Sequence, residues 1–333
     1  MIVKMFNNAA DLPWPVKEFE TSLLAPMIKR LNNDDKHTLF VNNMWYTDEY
    51  HQTVLDYLDQ NYVDRIILVS LVDSAIEISH REKFSSIDKE IIEVGTYKNE
   101  NDLDFWALWM GSKNFSVPSD VELLQIESID TAYMCLNCKP HWHRLQLYKE
   151  LETLNLLDLG LVSLGSITGV AIRSLVAEEN FPPLPLNPSN GQFGLPNDII
   201  SLGNIPNWQR CFLNVVTETL FDLNHYEFVS EKIFKPILGL RPFLVYDADG
   251  AYNWMTSRGF LPYVDDFKDI SDLDLKNPKN LAPFLSMLCA QPKRYWQKKL
   301  IDLNEKIMYN RDQFYRYVEI QRDKVNKGII CQI

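Results

Sequence analysis

Ser230-Glu-Lys232 sets a hydroxyl, a carboxylate and an ammonium on consecutive residues, just ahead of the run Ile233-Phe-Lys-Pro-Ile-Leu238. Ser230 reads as a helix N-cap, with Glu231 and Lys232 in the first turn. A helix start carries unpaired N–H groups and a partial positive charge, so it readily receives phosphate. Lys232 adds a full charge there, and Glu231 can accept hydrogen bonds from vicinal hydroxyls. The pair suits a sugar nucleotide, whose ribose and diphosphate lie side by side. Glu-Lys in a first turn is also ordinary surface chemistry, because the dipole favours the Glu.

These residues need elements to position them. Upstream, Cys211-Phe-Leu-Asn-Val-Val-Thr-Glu-Thr219 reads as a buried strand ending in polar residues, and strand ends in an open α/β sheet are where ligands bind. Downstream, Gly239 sits where a helix-ending glycine belongs, and Phe243–Tyr246 is a short apolar run typical of a covered parallel strand. Earlier still, Ala132–Asn137 reads as a strand, Lys139–His143 as a turn, and Arg144–Leu151 as a helix with apolar residues at 145, 147, 148 and 151. Gly160–Leu164 resumes the sheet. The planar fork of Arg144 can hold phosphate oxygens bidentately.

An apolar strand ending in Glu, a variable loop and then Ser/Thr-Glu-Lys opening a helix resembles the donor-binding region of the α-1,3-fucosyltransferase family and its viral and bacterial relatives. The strand, polar turn, Arg-headed helix and Gly-led strand around Arg144 are similar to the same family. The resemblance covers about Leu136 to Phe260. It implies an inverting glycosyltransferase of GT-B architecture: two Rossmann-like domains with parallel sheets facing a central cleft, and C-terminal helices crossing back. By that likeness Glu218 and Glu231 hold the nucleoside sugar, while Lys232 and Arg144 meet the diphosphate. The family usually shows Glu-Asn-Ser where this chain has Glu218-Thr-Leu, which bears on the donor more than on the reaction class. GDP-fucose is the first donor expected and a UDP-sugar the second, with a glycan hydroxyl as acceptor. GT-B enzymes neutralise the departing diphosphate with side chains and helix ends, so no metal or other cofactor is expected.

The chain has 333 residues, enough for two domains, with 46% hydrophobic and 23% charged residues, as in globular proteins. The expected division is 1–128 on the acceptor side, 129–310 for the nucleotide sugar and 311–333 as a helix packing back on the first domain. Strands read at His37–Asn43, Arg65–Ser70 and Ile91–Thr96, with helices at Thr47–Leu58 and Asp104–Trp109, imply a parallel sheet in the first domain. After Phe260 the chain reads as helical, over Ala282–Ala290 and again from Pro292 to about Asn326. The prolines of 180–197 preclude regular structure there and suggest a surface excursion over the donor.

An inverting transfer needs a carboxylate to take the acceptor's proton. Asp73, at the end of a predicted strand, is the first candidate, with Glu93 and Asp104 behind it; Asp73 also reads as a helix N-cap. Amides mixed with tryptophan at Phe6–Pro15 and Asn42–Tyr46 suit the lining of a sugar cleft. Asp247-Ala-Asp249 could be a metal-bound DxD but reads better as a turn and N-cap, and His141 and His143 lack carboxylates at ligand spacing.

Lys and Arg number 33 against 45 Asp and Glu, a net charge of −12 that repels a phosphate backbone. The basic stretch Lys293–Lys299 reads as a solvated helix face. Cys135, Cys138, Cys211, Cys289 and Cys331 form an odd, scattered set expected to stay reduced, and Cys135-Leu-Asn-Cys138 has no second pair to complete a zinc site. No apolar run approaches the ~20 residues that span a bilayer, and the N-terminus lacks a signal-peptide pattern. The expected setting is the cytoplasm of a microbe, or of a host cell if the protein is viral. Two other readings stay open: a viral DNA glycosyltransferase acting on a hydroxymethylated base, and an inactive sugar-nucleotide or glycan-binding protein.

Overall fold

The computed structural model describes residues 3–7, 22, 25, 36–42, 48–70, 87–95, 104–137, 141–164, 201–218, 221, 229–246 and 250–327. The chain divides into two compact units, 1–114 with 316–333, and 115–315. Each holds a parallel sheet, so the fold is mixed α/β, compatible with a Rossmann-like arrangement.

In the first unit the strands β1 (Val3–Asn7), β2 (Thr38–Asn42), β3 (Arg65–Ser70) and β4 (Glu90–Gly95) lie in sequence order. Leu39, Val41, Ile66 and Leu68 form the core with Val54, from helix α1 (Asp48–Gln60), and Val63. Apolar residues at successive positions of β3 fit a strand covered on both faces. Helix α2 (Phe105–Met110) is capped by Asp104, whose carboxylate accepts from Ala107 N at 2.9 Å and from the Tyr317 hydroxyl at 3.1 Å. Gln321 Oε1 in turn accepts from Asp104 N at 3.0 Å. Asp104 is therefore a buried cap with both side-chain oxygens hydrogen-bonded.

The second unit carries β5 (Thr131–Asn137), α4 (Trp142–Thr153), β6 (Leu161–Leu164), α5 (Ile205–Arg210), β7 (Cys211–Thr217), α6 (Glu231–Leu238), β8 (Phe243–Tyr246) and α7 (Gly250–Ser257), after a short helix α3 (Asp120–Leu123). Its strand order is β6-β5-β7-β8, all parallel. Every described residue of β8 is buried, as are all of β7 except Asn214. Phe234 on α6 meets Trp254 of α7 edge-on at 5.7 Å, and Trp254 stacks on Phe260 at 5.8 Å.

Gly239 ends α6 with φ −79°, an ordinary right-handed value, and the left-handed turn falls on Leu240 at φ 54°. The glycine is needed for space: a Cβ there would lie 2.3 Å from the Trp208 ring. Buried Arg241 then donates to the carbonyls of Cys211, Leu240 and Leu123, each at 2.8 Å, and so ties the amino ends of β7 and β8 to α3.

The C-terminal region forms α8 (Leu281–Cys289), α9 (Lys293–Asp302) and α10 (Asn304–Lys327). The single helix expected after Pro292 is thus two, broken at buried Leu303.

Candidate functional site

The order β6-β5-β7-β8 contains a reversal. From β5 the chain builds outward to β6, then returns to the other side of β5 and builds outward again through β7 and β8. At such a switch point the connections leave the two central strands in opposite directions and open a crevice beyond their carboxyl ends, which is where open α/β sheets bind ligands. Here those ends carry polar residues. Asn137 closes β5, Thr217 closes β7, and the Thr217 hydroxyl donates to Asn137 Oδ1 across the crevice.

Glu218 follows directly and is fully buried. Its carboxyl accepts from Ser230 N at 3.0 Å and from the Ser230 hydroxyl. Burial raises its pKa; Glu231 adds to the rise, while the Lys232 ammonium and the Ser230 bonds oppose it. The pair Glu218–Ser230 therefore pins the start of α6 to the end of β7.

Ser230 is the N-cap expected from the sequence, its side chain accepting from Lys232 N. Helix α6 is sharply amphipathic, burying Ile233, Phe234, Pro236, Ile237 and Leu238. That burial fixes the rotation of the first turn and leaves Glu231 and Lys232 partly exposed, at 22% and 28% of their side chains. Lys232 Nζ donates to Glu231 Oε1 at 2.9 Å and to Ser230 Oγ at 3.0 Å. Burial works against ionisation of Glu231, but the Lys232 and Lys235 ammoniums and the hydrogen bond from Lys232 outweigh it and hold the carboxyl at about 2. Near neutral pH the exposed rim is thus a carboxylate and an ammonium on the first turn of a helix.

Arg144 and His143 enter from the start of α4. Arg144 is buried, and its Nη2 donates to the carbonyls of Thr217 at 2.9 Å and Glu218 at 3.0 Å. Buried His143 places Nε2 2.8 Å from the same Glu218 carbonyl. A carbonyl only accepts, so Nε2 carries the proton and Nδ1 is bare. Burial pushes the His143 pKa down to about 4, with the Arg144 charge acting in the same direction. The ring is sandwiched between His141 and Phe221, at 5.9 and 5.1 Å, and Phe221 also meets the Trp142 edge and Tyr246.

Of the residues singled out from sequence, Arg144, Glu218, Ser230, Glu231 and Lys232 come together in one hydrogen-bonded cluster. Asp73, the first candidate base, lies outside the described residues, as do the side chain of Glu93 and both aspartates of Asp247-Ala-Asp249. Asn137 and Thr217 were not singled out, although their polar types at the ends of apolar strands were the available signal. No group of three or more His, Cys, Asp or Glu residues suited to a metal occurs among the described residues. Cys135 lies in β5, where burial pushes its thiol up to about 12. On α9, Lys298 pairs with Asp302 and Lys299 with Asp269, so carboxylates offset much of that basic stretch.

No protein-family model matches the chain, and no curated protein or solved structure matches it significantly. Among the described residues, no helix is long and apolar enough to cross a membrane.

Proposed function

We propose that the second unit is the donor-binding half of an inverting glycosyltransferase of GT-B type that uses a nucleotide-diphosphate sugar, resembling the α-1,3-fucosyltransferase family. The observation that carries the reading is the Glu231–Lys232 pair, partly exposed on the first turn of α6 and anchored through Ser230 to buried Glu218 at the switch-point crevice. The partial positive charge of that helix start and Lys232 Nζ would receive the diphosphate. The ionised Glu231 would accept from the ribose hydroxyls.

In the transfer, an acceptor hydroxyl attacks the anomeric carbon from the face opposite the diphosphate. The bond from that carbon to the phosphate oxygen breaks, and its electron pair stays with the diphosphate. A carboxylate base takes the hydroxyl proton, and Asp73 is the residue we would test first in that role. Lys232 and the helix start stabilise the charge that builds on the leaving oxygen, where fixed donors act most strongly. The sugar and the acceptor follow from the family likeness alone, with GDP-fucose and a glycan as first choices.

Thermal unfolding with millimolar GDP, UDP, CDP, ADP and dTDP tests the reading. A ligand bound only by the folded chain raises the melting temperature, by about 2.7 kcal/mol of stability at a hundred times its dissociation constant. One diphosphate should raise it, and Lys232→Ala should remove most of the rise. No shift with any of the five would overturn the proposal.

A further inference from the structure

We infer that Arg144 acts on the site through the backbone of Glu218, as a positioning residue, and does not itself touch the ligand's phosphates. The inference rests on the donor-site reading for its ligand, though not for its geometry. Arg144 heads a helix beside a candidate phosphate site, where an arginine would be expected to face the ligand. Its guanidinium is turned inward instead, only 4% of the residue is exposed, and Nη2 bridges two consecutive main-chain carbonyls.

Those carbonyls need such a donor. Pairing of β7 with β5 runs only as far as Met134↔Asn214. Asn214 N bonds Pro242 O on the β8 side, so by the alternation of a strand Thr217 turns its carbonyl toward β5, beyond the last rung of that ladder. A buried carbonyl without a donor costs free energy, and Arg144 supplies the donor from the helix that follows β5. His143 Nε2 adds a third contact at Glu218 O.

The consequence reaches the ligand by a short chain. The Glu218 backbone fixes where its carboxyl lies, the carboxyl holds both polar groups of Ser230, and Ser230 starts the turn that carries Glu231 and Lys232. Removing Arg144 frees the end of β7 and, with it, the orientation of the helix start. A residue contacting phosphate would lose charge-dependent binding alone; a residue that aims the whole site would lose binding of charged and uncharged ligands together.

Arg144→Met removes the donors, and Arg144→Gln removes the charge while keeping a neutral N–H donor. Three measurements separate the roles: affinity for the nucleoside diphosphate selected by the panel, affinity for its uncharged nucleoside, and ligand-free hydrogen exchange at Ser230–Ile233. Positioning predicts that Arg144→Met weakens diphosphate and nucleoside by the same factor, about tenfold. It also predicts faster exchange at the helix start with Cys211–Asn214 still protected, and recovery of most of both losses in Arg144→Gln. Lys232→Ala is the contrast, weakening the diphosphate and sparing the nucleoside. Loss confined to the diphosphate, equal in the Met and Gln variants and with unchanged exchange, would overturn the inference and return Arg144 to the phosphates. If the Met variant fails to fold, the Gln variant decides, since a phosphate ligand stripped of its charge cannot keep its diphosphate affinity. If the wild-type chain binds none of the nucleotides, the donor reading fails, and exchange at Ser230–Ile233 still decides whether Arg144 holds the helix start.

Discussion

Acidification should unfold this protein partly through one histidine. His143 has a pKa of about 4 in the folded chain, against an ordinary value near 6.5 once the chain opens. Between those values the unfolded state binds the proton and the folded state refuses it, so folding stability falls as pH falls. The stability is fully present above about pH 6.5 and is lost at about 1.4 kcal/mol per pH unit below it, to a total of about 3 kcal/mol near pH 4. The physical cause is visible in the site. The ring is buried between His141 and Phe221, its one hydrogen-bonded nitrogen faces a carbonyl, and the Arg144 charge is its sequence neighbour.

The perturbation is His143→Gln, whose amide nitrogen reaches about where imidazole Nε2 lies and which does not titrate. Its pH-independent cost, lost ring stacking above all, is the same at pH 7 and pH 5. Carboxylates such as Glu231, held at about 2, and Glu218, pushed upward, contribute equally to both chains. The gap between wild type and variant should therefore close by about 2 kcal/mol on going from pH 7 to pH 5. Urea unfolding at the two pH values measures it, and at a slope of about 2 kcal/mol/M the midpoints should converge by about 1 M. Parallel stability profiles for the two chains would refute the reasoning, because they would mean that His143 protonates as easily folded as unfolded.

Two further substitutions test how the second unit is held. Gly239→Ala puts a methyl group into the Trp208 ring and should cost about 1–3 kcal/mol by overpacking, read from the shift in denaturation midpoint, whereas a purely conformational role at its ordinary φ predicts a gain. Arg241→Met leaves the carbonyls of Cys211, Leu240 and Leu123 without their donor and should destabilise by about 3 kcal/mol or more, with nucleotide affinity unchanged in the folded fraction; a neutral effect would show that the site relaxes around the loss.

Most strands were legible because they are covered on both faces, and a covered strand is written as a largely apolar run, as in Arg65–Ser70, Cys211–Thr217 and Phe243–Tyr246, whereas β1 (Val3–Asn7) was not read from the sequence. Ser230 was legible for a local reason too, since an N-cap satisfies its own helix two residues on. What escaped the sequence depended on partners far along the chain. Gly239 reads from sequence as a helix-ending glycine, but its requirement is space beside the ring of Trp208, and Leu240 takes the positive φ. The helix after Pro292 carries no proline or glycine at its break, which falls on Leu303 where that residue is buried. The carbonyls that Arg144 serves lie more than seventy residues away, so its hold on the end of β7 could not be read locally.

Arg144 and Lys232 carry the same charge in one cluster, yet exposure separates their tasks. A buried guanidinium whose Nη2 is held by two carbonyls would have to surrender those bonds before turning that nitrogen to a phosphate, and would take the donor from the carbonyls if it did. Lys232 gives up much less. Its partners are the Ser230 hydroxyl and an adjacent carboxylate at the rim, a quarter of its side chain already reaches solvent, and a rim ion pair is worth little enough to exchange. A dianionic ligand arriving at the first turn of α6 would therefore draw Lys232 from Glu231 and free that carboxylate to accept from hydroxyls. The two halves of the rim would be released for a diphosphate and a ribose by the same event, while the buried half of the cluster stays where it is.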